Sequence, residues 1–522
     1  MGTRTETSQD AAIAFLSEPS SYTPRPGVVE RIDTHGAIVF LTGDRALKIK
    51  RAVKLAYLDF STLAKRRRAC EREVEINRIT APGIYLRTIT ITRRSDGMLE
   101  FGGGGEVVEW AVEMARFDQR NLLDRMALEE RLPVALMTPL ADHIAAYHDT
   151  APADRSNDGV SGLKQVIGSI TAALEKAGSY LDARLAAGFA RDLEAAFNKS
   201  ASLLSRRASA GYVRRCHGDL HLRNIVLLDG KPTLFDAIEF DEALATIDIL
   251  YDLAFLLMDL WHRGEKRHAN LVLNRYLWRN GCDANIDALA ALPLFLSIRA
   301  GVRAMVTLDQ LPYIDQAAAK AAISELQEYF SLAVSFLASS APRLIAVGGL
   351  SGTGKSTLAA RLAPVVGAAP GAFHIRSDVE RKLLYDVSPE EPLDTDAYTR
   401  DVTERVYATL NEKATRALAA GHSVILDAVF AREEERVASQ QVARAAGASF
   451  DGLWLRAAEA ALFERVEQRR GDASDADATV VRKQLDYDIG NLDWHQIDSS
   501  GTPDEVKTAA AALLNIDAEN GS

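Results

Sequence analysis

The sequence predicts two architectures in tandem: an α+β region over residues 1–340, then an α/β domain built on a parallel sheet over residues 341–522. Three observations carry this. The first 340 residues run strand-rich and then helix-rich, the order of an α+β fold. Ser339-Ser340-Ala341-Pro342 then breaks the composition with a short linker signal. Beyond it, short apolar runs alternate with helical stretches, which indicates a parallel sheet with helices on both faces. A chain of 522 residues is too long for one ordinary core, so two such domains fit its length.

In chain order, residues 28–50, "VVERIDTHGAIVFLTGDRALKIK", alternate apolar and polar residues, with turn signals at His35-Gly36 and Gly43-Asp44. "STLAKRRRACEREVEINRIT" reads as a helix begun by Ser61 or Thr62 and ended before Pro82. "IYLRTITITRR" and "EVVEWAVEMARF" are strands flanking the turn-rich "RSDGMLEFGGGGE". From about 120 to 210, and again over 243–340, the pattern is helical. In the last part "RLIAVGGL", "GAFHIRSD", "HSVILDAVF" and "SFDGLWLRA" read as strands.

Bulk properties exclude several classes. A net charge of −11 opposes general nucleic-acid binding, because a phosphate backbone would be repelled. No apolar run approaches the roughly 20 residues that span a bilayer, and the N-terminus lacks a basic start followed by an apolar block. Cys70, Cys216 and Cys282 show no metal-ligand spacing, which fits a reducing cytoplasm without disulfides.

Two stretches carry chemistry. In "GGLSGTGKST", Gly349 to Ser356 match the phosphate-loop pattern G-x-x-x-x-G-K-[ST], between a predicted strand and the helix "STLAARLAP". Gly349, Ser351, Gly352, Thr353, Gly354 and Thr357 would cradle phosphates through backbone N–H groups and the helix start. Lys355 would reach the outer phosphates and Ser356 would ligate Mg²⁺. In "HIRSDVERKLLYD", Asp378 stands just past a strand, where a carboxylate can take a proton from an acceptor hydroxyl, with Arg381 and Lys382 one turn on. An N-cap role for Ser377 or Asp378 is compatible with this. Asp427 ends "SVILD" where a metal-holding carboxylate is expected, a solvent-facing strand end being the alternative. Arg465, Arg469 and Arg470 lie on a helix leading into "GDASDAD", either as a mobile lid over developing charge or as a solvated basic face. This half resembles the small P-loop kinases grouped with polynucleotide, gluconate and zeta-toxin kinases. The late "HQIDSSGTPDEV" is similar to their final strand and loop. The resemblance implies ATP and Mg²⁺ and leaves the acceptor open.

The second stretch is "RRCHGDLHLRNIVLLDGKPTLFDAIEF", residues 214–240. Transfer of a phosphoryl group to a hydroxyl needs a base beside the nucleophile and ligands for Mg²⁺. Asp219 is placed as that base, Asn224 five residues on as a neutral ligand, and Asp236 across the hairpin-like "IVLLDGKPTLFD" as the charged one. His217 would brace the loop. This stretch resembles the aminoglycoside phosphotransferase family and its choline- and sugar-kinase relatives, whose fold is protein-kinase-like. The resemblance implies a strand lysine, Lys48 with Lys50 as rival, and a helix glutamate, Glu73 with Glu71 second. It also implies an adenine hinge in "EWAVEMARFDQRNLL" and a structural role for His148. Two features depart from it: "FDA" replaces the usual "DFG", and only Gly36 marks a nucleotide-covering turn. Asp241, Asp248, Asp252 and Asp259 would either hold a cationic acceptor or be solvent-exposed on helices.

The reading is therefore a cytoplasmic phosphotransferase with two nucleotide sites, passing the γ-phosphate of ATP to hydroxyls of small-molecule acceptors. The alternative is a single kinase, the first half, gated by a nucleotide-binding second half.

Overall fold

The computed structural model describes residues 9–34, 36–54, 58–178, 180–280, 283–468 and 473–516. His35 of the expected turn, Cys282, Arg469 and Arg470 lie outside them. The chain divides into two compact units, Met1–Asn157 with Ala208–Asp252, and Asp158–Arg207 with Leu253–Ser522. Compactness thus groups the helices of 253–340 with the parallel sheet, across the composition break near 340.

The first unit is built on an antiparallel sheet of β1 (Glu30–Asp33), β2 (Ala37–Thr42), β3 (Arg45–Lys50), β4 (Tyr85–Arg93), β5 (Leu99–Phe101) and β6 (Glu106–Ala115), ordered β1-β2-β3-β6-β4-β5. Strand alternation gives it two apolar faces. Ile38, Phe40, Leu47 and Ile49 pack with Leu16 of helix Gln9–Ser17. Leu41 and Ala46 pack on the other face with Cys70 and Val74 of helix Leu63–Asn77. Lys48 and Lys50 follow Ala46 at period two, so both emerge toward that helix. Thr62 caps it, its hydroxyl accepting from Lys65 N at 3.3 Å.

The same unit holds β7 (Val213–Arg215), β8 (Ile225–Leu228), β9 (Lys231–Leu234) and β10 (Thr246–Asp248), paired as β7–β10 and β8–β9. Asp229 and Gly230 join β8 to β9 with φ of 48° and 76°, the left-handed pair whose twist suits a two-residue hairpin.

The second unit carries a parallel sheet of β11 (Arg343–Gly348), β12 (Phe373–Arg376), β13 (Val424–Asp427), β14 (Ser449–Arg456) and β15 (His495–Asp498), ordered β12-β13-β11-β14-β15. The expected strands are these strands. Ile345, Val347, Ile425, Leu453 and Leu455 meet Leu358, Leu362, Val506 and Leu514 from helices Lys355–Leu362 and Pro503–Leu513 and the residue after the latter. Helices Arg400–Ala419 and Glu433–Ala445 cover the other face. One expectation is corrected. The stretch Asp283–Tyr313 is long and apolar enough, by length and composition, to cross a membrane. Two thirds of its most apolar window is buried, because Leu292–Gln310 packs between Ser161–Glu175 and Gln316–Phe336, and that demands apolar residues nearly all round.

Candidate active sites

On helix Leu63–Asn77 the positions Cys70, Glu73, Val74 and Asn77 face inward at helical spacing, all buried. Glu73 therefore meets both lysines of β3. Lys48 Nζ lies 2.8 Å from one oxygen of Glu73 and 2.5 Å from Asp236 Oδ1. Lys50 Nζ lies 2.6 Å from the other Glu73 oxygen and also pairs with Glu239. Glu71 points outward and pairs with Arg67 at 2.8 Å on the surface. Burial alone would raise the Glu73 carboxyl, but Lys48 and Lys50 outweigh it and hold it at about 2. Burial likewise disfavours the charge on Lys48, and Asp236 and Glu73 reverse this, raising it well above the usual lysine range. Glu239 is raised by burial, opposed by Lys50 and reinforced by Glu73. Nothing in the sequence singled out Glu239.

The loop between β7 and β8 presents Asp219 half-buried, with its carboxylate accepting from Asn224 Nδ2 at 2.9 Å and His221 Nε2 at 3.3 Å. With its amide nitrogen turned to Asp219, Asn224 has its oxygen as the atom a cation would take. Phe235 N donates to Asn224 O at 3.0 Å, so Asn224 and Asp236 stand at adjoining ends of the β8–β9 pair. Asp236 has φ 61°, a left-handed conformation uncommon for a residue with a side chain. It is held there by Tyr85 Oη accepting from Asp236 N at 3.1 Å and by Asn77 Oδ1 accepting from Ala237 N at 2.8 Å. Such strain persists only where the surroundings over-determine it, and it gathers at functional sites. His217 is fully buried and bonds Phe235 O at 2.9 Å through Nε2, tying the loop to the segment that carries Asp236.

The downstream carboxylates correct an expectation. Asp252 is fully buried and accepts from the backbone N of His217 at 3.1 Å and of Gly218 at 2.8 Å, and from His148 Nε2 at 3.1 Å. His148, Cys216 and Asp252 have polar atoms within 4.8 Å of one another, but the oxygens of Asp252 are committed to the loop's amides. It fixes the backbone beside Asp219. Asp248 is buried and caps Leu250 N at 2.8 Å, and Asp259 is buried against Arg263 at 3.0 Å. Asp241 caps the short helix Glu242–Ala245. The reason is common to all four: each carboxylate already serves a local donor.

In the second half, β11 runs into the turn 349–354 and helix Lys355–Leu362. Close packing demands its glycines: a Cβ on Gly349 would lie 2.7 Å from Leu455 O, and one on Gly352 2.6 Å from Leu462 O. Gly354 sits at φ 86°, directly ahead of the helix. Thr353 Oγ1 donates to Leu350 O at 2.7 Å and Lys355 Nζ to the same oxygen at 3.1 Å. Ser351 N donates to Gln484 Oε1 at 2.7 Å, a partner from helix Ala478–Leu485 that sequence reasoning did not find. Ser356 is half-buried and Thr357 is exposed.

Asp427 ends β13 almost fully buried, with His374 Nε2 3.3 Å and Arg376 Nε 3.5 Å from its Oδ2. It is therefore no solvent-facing strand end. Burial would raise its carboxyl, and His374, Arg376 and Lys355 bring it down to about 2. Asp378 opens helix Ser377–Leu384 and is raised by burial, with Arg376 opposing, Asp427 adding and Lys355 opposing. Two carboxylates that repel one another, Asp427 buried and Asp378 half-buried, suit a divalent cation. Arg465 Nη2 donates to Ser499 O at 2.7 Å and Nη1 to Gly352 O at 3.4 Å, so this arginine leans on the phosphate loop itself. Lys382 is buried against Asp475 at 2.8 Å, and Arg381 donates to Ala397 O at 2.7 Å.

A model described as a phosphotransferase enzyme family matches residues 99–290, and one described as an AAA domain matches residues 344–487. Among solved structures, the GDP complex of aminoglycoside 2'-phosphotransferase-IIIa is 18% identical, covering 62% of this chain and 99% of its own, at a TM-score of 0.38. An unliganded sugar kinase from a Janibacter species is 20% identical, covering 35% of this chain and 99% of its own, at a TM-score of 0.26. The uncharacterized protein Rv2004c of Mycobacterium tuberculosis is 32% identical over 482 residues, 90% of this chain and 92% of that protein. The chain belongs to the family of that mycobacterial protein, and it joins an aminoglycoside-phosphotransferase-like domain to a P-loop kinase-like domain.

Proposed function

We propose that the protein is a Mg²⁺- and ATP-dependent phosphotransferase with two nucleotide sites, each passing a γ-phosphate to the hydroxyl of a small-molecule acceptor. The observation that carries this is duplication. Each half has its own cation for phosphates, its own carboxylate for a metal and its own carboxylate for the acceptor proton. In the first half Lys48, braced by Glu73, binds phosphate oxygens. Asp219 takes the hydroxyl proton, while Asn224 and Asp236 hold the metal. In the second half the phosphate-loop amides and Lys355 bind phosphates, Asp378 takes the proton, and Ser356 and Asp427 hold the metal. Arg465 and Arg469 screen developing charge. Held by these residues, Mg²⁺ would supply positive charge to offset that of the phosphates. The expected acceptors are small molecules in the cytoplasm rather than nucleic acid or membrane, in keeping with a net charge of −11.

The test is Mg·ATP turnover against a library of sugars, amino alcohols, aminoglycosides and nucleosides, with wild type beside Asp219→Ala and Asp378→Ala. Two products, each lost with one variant, are expected. A single product lost only with Asp219→Ala would sink the two-kinase reading in favour of a regulatory second half.

A further inference from the structure

The edge of the parallel sheet is closed in an unusual way. β12 is an edge strand, with β13 on one side only. Phe373 N bonds Ser423 O toward β13, so the backbone groups of His374 point to the open side. A buried, unpaired edge costs the desolvation of every N–H and C=O along it. Here no strand supplies the partners. They come from one face of helix Lys266–Asn280. Asn270 Nδ2 donates to Pro370 O and Ala372 O, both at 3.0 Å. Asn274 donates to Ala372 O at 3.2 Å and accepts from His374 N at 2.7 Å. Trp278 Nε1 donates to His374 O at 3.0 Å.

These residues are spaced i, i+4, i+8, and the spacing explains the fit. Four residues of helix advance about 6 Å and two residues of strand about 6.6 Å, so successive side chains of the helix meet successive open-side positions of the strand. His374 is thereby held at both its backbone groups, and its ring stands edge-on to Trp278 with centroids 6.1 Å apart. The other side of that ring meets the buried Asp427. The helix also lies within the stretch matched by the phosphotransferase family model, not the one matched by the AAA model.

We propose that helix Lys266–Asn280 is a surrogate edge strand for the P-loop sheet, and that through His374 it positions Asp427 for the metal of the second nucleotide site. This rests on the reading of Asp427 as that site's metal carboxylate. His374 is a positioning residue: it acts through Asp427, whose carboxylate its ring nitrogen would orient for the metal. The two families' domains are then joined at a catalytic carboxylate and not merely by a linker.

The test uses the full chain carrying Asp236→Asn, which silences the metal site of the first half. ATP affinity is measured by calorimetry with and without Mg²⁺, beside hydrogen exchange at His374 N. His374→Ala should cut the Mg²⁺-dependent gain in affinity about tenfold or more, the usual scale for a residue that orients a metal ligand, and leave metal-free affinity unchanged. His374→Gln, which keeps a donor for Asp427, should restore most of it. Asn274→Ser and the milder Trp278→Phe should speed exchange at His374 N and cut the gain about fivefold, the worth of one lost hydrogen bond. Faster exchange with an unchanged Mg²⁺ gain would overturn the positioning role while leaving Asp427 its own, provided that Asp427→Asn still abolishes the gain. If Asp427→Asn leaves the gain intact, both the proposal and the reading beneath it fall.

Discussion

The two candidate sites face the same ligand charge with opposite materials. In the first half the candidate cation is a side chain, and carboxylates already pair with it and its neighbour: Lys48 with Glu73 and Asp236, Lys50 with Glu73 and Glu239. In the second half the cradle is backbone and helix start, set by glycines no larger residue could replace, and Lys355 leans on a main-chain carbonyl. On the proposed roles, a phosphate would displace the Asp236 carboxylate from Lys48 in the first site, and the neutral Gln484 amide from Ser351 N in the second. One site couples ligand binding to its own charge network. The other rests first on backbone amides, with Lys355 the link to Asp427 and Asp378.

The largest effect that sharpens this contrast is on rate. Asp219→Ala should lower transfer by the first half about 10²–10⁴-fold, the loss of a general base, and leave nucleotide affinity and the second half's product unchanged. Product formation by mass, with the acceptor found in the library, checks it. Full retained transfer would remove Asp219 from the chemistry.

The next effect separates stability from binding. Lys48→Met leaves Glu73 with Lys50 as its remaining cation and the part-exposed Asp236 with none, so the loss should stay below the roughly 3–5 kcal/mol of a fully orphaned buried charge but above that of a surface pair. Denaturant unfolding should show that loss in the first unit. Lys355→Met should weaken nucleotide binding by the second half yet shift its unfolding by no more than about 0.5 kcal/mol, because no buried carboxylate depends on Lys355 alone. Equal destabilisation by both would erase the distinction between a side-chain site and a backbone site.

How much of this could be read beforehand follows from sequence distance. Asp219, Asn224 and Asp236 fall within a single stretch, and the phosphate loop is contiguous between a strand and a helix, so both were legible. Lys48 and Lys50 could not be ranked because strand period puts them on one face, and the structure gives each one oxygen of Glu73. Glu73 over Glu71 needed the phase of the helix, which Cys70, Val74 and Asn77 supply. Asp252 was misread, yet helix Ile249–His262, "ILYDLAFLLMDLWH", is apolar nearly all round, and a carboxylate in such a helix is buried and paired. Asn270, Asn274 and His374 were out of reach. Their meaning lies in a register across 100 residues that no local pattern encodes.

The smallest prediction places the contrast on a pH axis. His422, just before β13, is buried and held by burial at about 4, against 6.5 for an ordinary imidazole. Between those values the unfolded chain binds a proton that the folded one refuses, so stability is full above pH 6.5 and falls as pH drops toward 4. The loss should reach about 3 kcal/mol, and His422→Gln should remove it. Glu73 behaves differently. Its carboxyl is lowered from 4.5 to about 2 by Lys48 and Lys50, so its contribution is full above pH 4.5 and is lost as pH falls toward 2. Thermal scans at stepped pH should therefore show the P-loop half weakening between pH 6.5 and 4 through His422, and the half that carries Lys48 weakening below pH 6.5 through His217, which burial also lowers, with the Glu73 contribution lost only below about 4.5. If the half that carries Lys48 shows no further loss below pH 4.5, the charge network of the first site is not what holds that half in acid. Lys48 and Lys50 would then owe their place to the phosphates they bind rather than to the carboxylates they neutralise.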